Sequence, residues 1–129
     1  MNARGGQTIL TPSQVGQYIK SFMDRDRLLS GLLVRGELSN YKRYPSGHHY
    51  FTLKDGEGAL RCVMFRSDAA SLRFQPQNGM QVIAAGRVTV FPRDGQYQLY
   101  CVRLTPEGAG DLAVAFEQLK ARLLQEGIF

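Results

Sequence analysis

The sequence predicts a mainly β protein, a five-stranded barrel with one helix before it and one after it. Three observations support this fold class. Apolar residues recur at helical spacing near both ends, they alternate with period two between residues 31 and 105, and turn-forming residues divide that stretch into five strand-like runs. A chain of 129 residues, 43% of them hydrophobic, is long enough to bury one core.

The first 30 residues divide into a tail and a helix. Residues 1–10 are polar, contain glycine and have no period, so we expect a flexible segment that is disordered or loosely attached. A helix is predicted within residues 11–30, because Thr11 is a candidate N-cap, Pro12 fits the first helical position and Gln14 completes a capping box. It is expected to end near residues 26–27. Its apolar face comprises Val15, Tyr18, Ile19, Phe22 and Met23.

Residues 31–106 are predicted to form the barrel. The five strands are expected at residues 32–38, 49–54, 60–65, 80–91 and 96–104. Residues 40–47 are predicted as a polar loop, and residues 67–74 as a short helix between the third and fourth strands. Gly86 is expected to bend the fourth strand. This order of elements is that of the OB-fold Greek-key barrel.

Residues 107–129 are predicted to form a closing amphipathic helix. Asp111 is a candidate cap and Gly127 a candidate stop. The apolar face of this helix comprises Leu112, Phe116, Leu119 and Leu123.

Strand parity predicts two different faces for the second and third strands. If Phe51 and Leu53 face the core, then Leu60, Cys62 and Met64 can face it from the next strand. The opposite face mixes aromatic and cationic side chains. It carries Tyr50, Thr52, Lys54, Arg61, Val63 and Phe65.

Composition and motifs exclude several classes of function. The acidic residues are scattered, no CxxC or glycine-rich phosphate loop is present, and His48 and His49 are adjacent and would point to opposite faces of a strand. We therefore expect no metal, no cofactor and no catalytic residue in this chain. Cys62 and Cys101 are expected to be free thiols, and the lack of a signal peptide or a membrane-spanning run predicts a cytoplasmic location.

The charge pattern favours a polyanionic partner. The formal net charge is +5, and residues 35–103 hold ten lysines and arginines against five aspartates and glutamates. Single-stranded nucleic acid needs flat rings for its bases and cations for its backbone, which the outer face and the loop 41–44 (YKRY) both offer. RNA or tRNA binding by the same face, a protein-interaction domain with an incidental basic face, and self-association through the terminal helices remain open alternatives.

Several motifs resemble the N-terminal domain of the exodeoxyribonuclease VII large subunit. They are residues 34–40 (VRGELSN), 46–55 (SGHHYFTLKD), 60–66 (LRCVMFR), 95–100 (GQYQLY) and 115–120 (AFEQLK), and the similarity covers residues 11–129. A weaker resemblance, to the OB anticodon-binding domains of class II aminoacyl-tRNA synthetases, rests on Tyr50, residues 53–55 and Arg61.

The first resemblance implies a function. Members of that family degrade single-stranded DNA from both ends to oligonucleotides in the bacterial cytoplasm, and their large subunit assembles with several small subunits. Their N-terminal OB-fold is thought to grip single-stranded DNA, and the catalytic and small-subunit-binding regions follow it. The resemblance therefore implies a chain that positions single-stranded DNA without cleaving it, with small subunits bound through a region absent here.

The candidate nucleic-acid-binding residues follow from the outer face and its neighbouring loop. We expect Tyr50 and Phe65 to stack on bases. The candidates for holding phosphates are Arg61, Lys54, Arg66, Lys42 and Arg43. Tyr44, His48 and Arg35 complete the candidate set. For His48 two roles are open: a structural hydrogen bond to the loop, or a contact with phosphate or base.

Overall fold

The computed structural model describes residues 2–108, with side chains described from residue 5 onward. The chain order of its elements is β1 (Asn2–Arg4), β2 (Gln7–Ile9), α1 (Pro12–Arg25), β3 (Leu32–Arg43), β4 (His49–Lys54), β5 (Ala59–Met64), α2 (Arg66–Ala69), β6 (Gln81–Phe91) and β7 (Gln96–Pro106). The closing helix predicted at 107–129, with its proposed cap and apolar residues, lies outside the described residues. Neither α1 nor α2 is long and apolar enough to cross a membrane.

Strands β3 to β7 form a closed barrel in the order β3-β4-β5-β7-β6. All neighbours pair antiparallel except β5 and β7, which pair in parallel through Cys62↔Leu99 and Val63↔Tyr100. This arrangement, with α2 between the third and fourth barrel strands, confirms the predicted OB-fold barrel. Helix α2 is shorter than the predicted residues 67–74.

The N-terminal segment contains a regular hairpin. Strands β1 and β2 form an antiparallel hairpin, and the two residues between them, Gly5 and Gly6, have φ of 57° and 84°. Glycine adopts such angles without a steric penalty, so the pair makes a tight turn between short polar strands. The hairpin is not predicted by the sequence, and the loose attachment of residues 1–10 stays a prediction. Every residue of β2 is exposed.

Helix α1 begins as predicted and lies against β6. The backbone amide of Gln14 donates to Thr11 Oγ1 over 3.2 Å, and the backbone amide of Thr11 donates to Gln14 Oε1 over 2.9 Å. The two bonds form a complete capping box. Asp26 is the C-cap, close to the predicted end. A Cβ added to Gly16 would lie 3.2 Å from Pro92, so a small residue allows this close approach to the β6–β7 hairpin.

The apolar stripe of α1 is only partly used in the described structure. Met23 packs against the barrel core. The remaining members are between 43% and 56% exposed: Val15, Tyr18, Ile19 and Phe22.

The core is apolar and follows the predicted parity. Phe51 pairs with Cys62 and Leu53 pairs with Leu60, and all four side chains face inward. The fully or nearly fully buried core also includes Leu38, Met64, Val82, Ala84, Val88, Leu99, Cys101 and Leu104. Burying a side chain of leucine or methionine size stabilises the fold by about 1.5–3 kcal/mol, so this layer supplies the main favourable term.

One predicted loop is largely strand. Residues 40–47 were expected to be a polar loop, yet β3 continues to Arg43 and pairs Lys42 with Tyr50. The register shifts between Ser39 and Lys42, where Asn40 has φ of 57°. Asparagine tolerates this left-handed conformation better than most residues, and the bulge lets the strand bend without ending.

Gly86 marks an irregularity of β6, where the register of the pairing with β7 shifts between Ala85 and Gly86. A Cβ at this position would overlap the carbonyl oxygen of Tyr100 and lie 2.9 Å from its carbonyl carbon. Both are backbone atoms of the paired strand, so they have little room to move.

We predict that Gly86→Ala lowers the free energy of unfolding by about 3 kcal/mol, because the new methyl group forces β6 away from β7. Gly56→Ala is the matched control, because no atom lies within 4 Å of its added Cβ. It should change stability by less than about 0.5 kcal/mol. Urea titrations followed by circular dichroism measure both, and equal stabilities would contradict the prediction.

Asp24 connects α1 to β6 and makes the stability of the fold depend on pH. Its carboxylate accepts hydrogen bonds from Lys20 Nζ over 2.5 Å and from the buried Thr89 hydroxyl over 2.7 Å. Hydrogen bonding to Lys20, followed by that to Thr89, holds the pKa of Asp24 below its ordinary value of 3.8. The ionised form is therefore favoured in the folded chain.

A lowered folded-state pKa gives a stabilisation that is present above the ordinary value and disappears as pH falls through the folded value. We predict that Asp24→Asn makes the loss of stability between about pH 5 and pH 2 smaller than in the wild type. Urea midpoints at several pH values measure this slope. An unchanged slope would show that the Asp24 carboxylate does not favour the folded state.

Candidate nucleic-acid interface

One row of side chains crosses three strands on the outside of the barrel. Tyr50 of β4 pairs with Val63 of β5, and Val63 pairs with Tyr100 of β7. Paired residues project from the same side of a sheet, so these three side chains lie side by side. Val63 is only 2% exposed although it faces outward, which shows that its neighbours cover it.

Aromatic rings flank this row at both ends. Tyr44 lies edge-on to Tyr50, with 5.1 Å between ring centroids, and Phe65 stacks on Tyr100 at 5.8 Å with 25° between the planes. Tyr44, Tyr50 and Phe65 remain 47%, 42% and 44% exposed. We call Tyr44, Tyr50, Val63, Phe65 and Tyr100 the aromatic face. It presents half-exposed rings on a hydrogen-bonded sheet, and flat rings of this kind can stack on unstacked bases.

Cationic and amide groups border the aromatic face. Arg61 pairs with Thr52 on the same side of the sheet, and its guanidinium donates to the side-chain oxygen of Gln96. Lys42 lies directly across from Tyr50. The guanidinium of Arg87 lies 5.0 Å from the centre of the Tyr100 ring. These side chains are exposed and give the face a positive border.

Two predicted cations, Arg35 and Arg43, have other contacts in the structure. Arg35 lies on β3 opposite Ile83 of β6, and its Nε forms an ion pair at 2.6 Å with Oε1 of Glu107, the residue after β7. Arg43 donates to the Pro76 carbonyl over 2.9 Å and lies 4.9 Å from the centre of the Tyr41 ring. Neither guanidinium is brought to the aromatic face.

Lys54 and Arg66 lie at the ends of secondary-structure elements. Lys54 ends β4, shares the outward parity of Tyr50 and forms a 3.4 Å ion pair with Glu37. Arg66 begins α2 directly after Phe65, and its side-chain carbons lie close to Gly47. Both side chains are exposed near the face but outside its central row.

Tyr100 and its polar neighbours Arg87, Gln96 and Gln98 lie on the same side of the barrel and are not among the predicted site residues. Gln96, Gln98 and Tyr100 alternate along β7, and the Gln98 amide donates to the Tyr100 hydroxyl over 3.1 Å. Period-two alternation in the predicted last strand was a signal that could have grouped them. The parallel pairing of β5 with β7 and the position of Arg87 over Tyr100 had no sequence signal.

Tyr41 and His49 form a separate, partly buried pair. The bulge in β3 directs Tyr41 toward the core, where its ring stacks on Phe51 at 5.1 Å. Its hydroxyl lies 2.7 Å from His49 Nδ1. Burial raises the pKa of Tyr41 to about 12 and lowers the pKa of His49, so both groups are held neutral near pH 7. Tyr41 thus packs on the core side of the sheet, opposite the aromatic face.

Two further features of residues 5–108 concern metal binding and the cysteine thiols. Within that range no three side chains of His, Cys, Asp or Glu are grouped to hold a metal ion. Cys62 and Cys101 are free and buried, and burial raises the pKa of both thiols, that of Cys101 to about 12. Thiols in this state are poor nucleophiles.

Residues 10–105 match a sequence family described as the OB-fold nucleic acid binding domain. The match spans most of the chain and coincides with α1 and the complete barrel. The chain therefore belongs to this family.

Comparison with individual proteins points to one kind of relative. The chain is 52% identical over 121 residues to the exodeoxyribonuclease 7 large subunit of Ruminiclostridium cellulolyticum, and 53% identical over 121 residues to that of Clostridium acetobutylicum. Each alignment covers 94% of this chain and 30% of the relative. The chain thus spans under a third of the length of these curated relatives.

Among solved structures, the barrel is similar to a chain of a replication protein A heterotrimer bound to single-stranded DNA. The TM-score is 0.50 at 18% sequence identity, and the alignment covers 78% of this chain and 75% of the other. At this identity the similarity concerns the fold.

Proposed function

We propose that this chain binds single-stranded DNA across its aromatic face, and that it is the DNA-positioning part of an exodeoxyribonuclease VII large subunit. The observation that carries the proposal is the row Tyr50, Val63 and Tyr100 across three strands, flanked by Tyr44 and Phe65. The family to which the chain belongs and the name of its relatives support the same conclusion.

In this proposal the rings and the cations have different tasks. Tyr50 and Phe65 stack on bases, each stacked base contributing about 1–3 kcal/mol. Arg61 and Lys42 border the rings and neutralise phosphates, which releases counterions and makes binding depend on salt. The amides of Gln96 and Gln98 offer hydrogen bonds to base edges beside Tyr100.

The remainder of the longer protein has the other tasks. The relatives are more than three times as long as the aligned segment. We infer that hydrolysis of single-stranded DNA from both ends, and the binding of small subunits, belong to that remainder, in the bacterial cytoplasm. In this scheme the barrel grips DNA and delivers it without cleaving it. The predicted helix at residues 107–129 would then lead toward the catalytic region.

We predict that Tyr50→Ala and Phe65→Ala each weaken binding to oligo-dT by about five-fold or more, because each loses a stacking platform. Tyr18→Ala is the matched control, since Tyr18 is similarly exposed but lies on α1. Its affinity should equal that of the wild type. Fluorescence anisotropy measures all three, and wild-type affinity in both test variants would contradict the assignment of the face.

The same titration separates DNA from RNA as the ligand. Unlabelled oligo-dT should displace labelled oligo-dT at lower concentration than matched oligo-rU does. A clear preference for the RNA would instead favour a reader of the 2′-hydroxyl. Displacement by double-stranded DNA should require much higher concentrations, because paired bases cannot stack on the rings.

A further prediction tests which cations contact the phosphates of the DNA. Arg61→Ala should weaken binding and reduce the slope of log affinity against log salt by about 0.7, the value for one phosphate of a single strand. Arg35→Ala changes a cation of the β3–β6 strand pair that is paired with Glu107, and it should change neither quantity. Equal effects of the two substitutions would mean that DNA contacts the β3–β6 surface as well.

A further inference from the structure

His48 makes two contacts that both lead to Phe65. Its Nδ1 accepts a hydrogen bond from the backbone amide of Arg66 over 2.9 Å, and its ring lies edge-on to the Phe65 ring with 5.4 Å between centroids. Phe65 is the N-cap of α2 and makes no side-chain cap hydrogen bond of its own. The imidazole therefore satisfies an amide at the start of α2 that the helix leaves unpaired. Because Nδ1 accepts, the ring proton of neutral His48 is on Nε2.

The loop that carries His48 is fixed to the same corner of the barrel. The Tyr44 amide donates to the His48 carbonyl over 3.0 Å, which closes the loop on itself. Gly47 has φ of 92°, and a Cβ added there would lie 2.6 Å from Arg66 Cγ. The loop is thus packed tightly against the residue that follows Phe65.

Phe65 is consequently held from two sides. Its ring stacks on Tyr100, and the edge contact with His48 restricts it from the loop side. Of these three rings, Phe65 is the one that the proposed function assigns to base stacking.

We propose that His48 is a positioning residue: it holds Phe65 in the orientation that stacks on a base, through its Nδ1 hydrogen bond and its ring edge, and makes no contact with the nucleic acid itself. This inference depends on the proposed function of the aromatic face. It decides between the two roles that the sequence left open for His48, a structural hydrogen bond or a direct contact with phosphate or base.

The two roles of His48 use different ring nitrogens. The positioning role uses Nδ1, and a direct contact with DNA would use Nε2. The amide oxygen of asparagine reaches about as far as Nδ1 does, whereas that of glutamine reaches about as far as Nε2. A residue that works through Nδ1 is therefore replaced best by asparagine. A residue that donates to DNA through Nε2 is replaced best by glutamine, whose amide nitrogen can also donate.

The test compares His48→Asn, His48→Gln and His48→Ala by anisotropy with oligo-dT, together with the thermal unfolding midpoint of each variant. We expect His48→Asn, which keeps an acceptor at the Nδ1 position but loses the ring edge, to lose less affinity than His48→Gln and His48→Ala. These two should lose about five-fold, the lower end of the value of one stacked base. The reverse order, with glutamine best, would overturn the proposal in favour of direct contact. Equal affinities in all three variants would overturn it as well.

A second variant pair keeps the test independent of folding. In a Phe65→Ala background, where there is no ring to position, His48→Ala should cause no further loss of affinity. A full additional loss would contradict the positioning role even if the variants were less stable.

Failure of this inference and failure of the proposed function give different results. If wild-type protein does not bind oligo-dT, the proposed function fails. If the wild type binds and Tyr50→Ala weakens binding while the His48 variants do not follow the expected order, the positioning role alone is wrong.

Discussion

The parallel pairing of β5 with β7 is the contact that closes the barrel and on which the aromatic face depends. Only two residue pairs form it, Cys62↔Leu99 and Val63↔Tyr100, and they do two different things. The first pair points inward and joins the core. The second points outward and places Tyr100 beside Val63 and Tyr50, so that rings from distant parts of the sequence meet on one surface. Closure of the barrel and assembly of the aromatic face are thus consequences of the same register.

Contacts of β6 with β7 and with α1 also stabilise that register. Gly86 allows β6 to approach β7 at the level of Tyr100, where a side chain would collide with the backbone. Asp24 of α1 holds the outer side of β6 through Thr89 and lies 3.8 Å from Arg87. Arg87 also lies over the Tyr100 ring. It therefore contacts both Asp24 of α1 and the aromatic face. Side chains that are already held by such contacts lose less conformational entropy of their own when a ligand binds.

Local signals predicted much of this molecule, and long-range contacts account for most of what they missed. The capping box of α1 and the parity of Phe51 and Leu53 needed only neighbouring residues, and both are confirmed. The strand position of Tyr41 could not be predicted, because a bulge at Asn40 has no reliable sequence pattern. Tyr100 was missed because parallel pairing between β5 and β7 leaves no trace in either strand. The partners of Arg35 and Arg43, 72 and 33 residues away, could not be read from charge alone.

The central claim is that single-stranded DNA lies across β4, β5 and β7, and an NMR titration of the ¹⁵N-labelled chain with oligo-dT tests it most directly. The amide signals of Tyr50, Val63 and Tyr100 should shift most, while those of Ile83 on β6 and Tyr18 on α1 should stay in place. Shifts concentrated on β3, β6 or α1, with the three central residues unmoved, would contradict the claim even if the affinity were high.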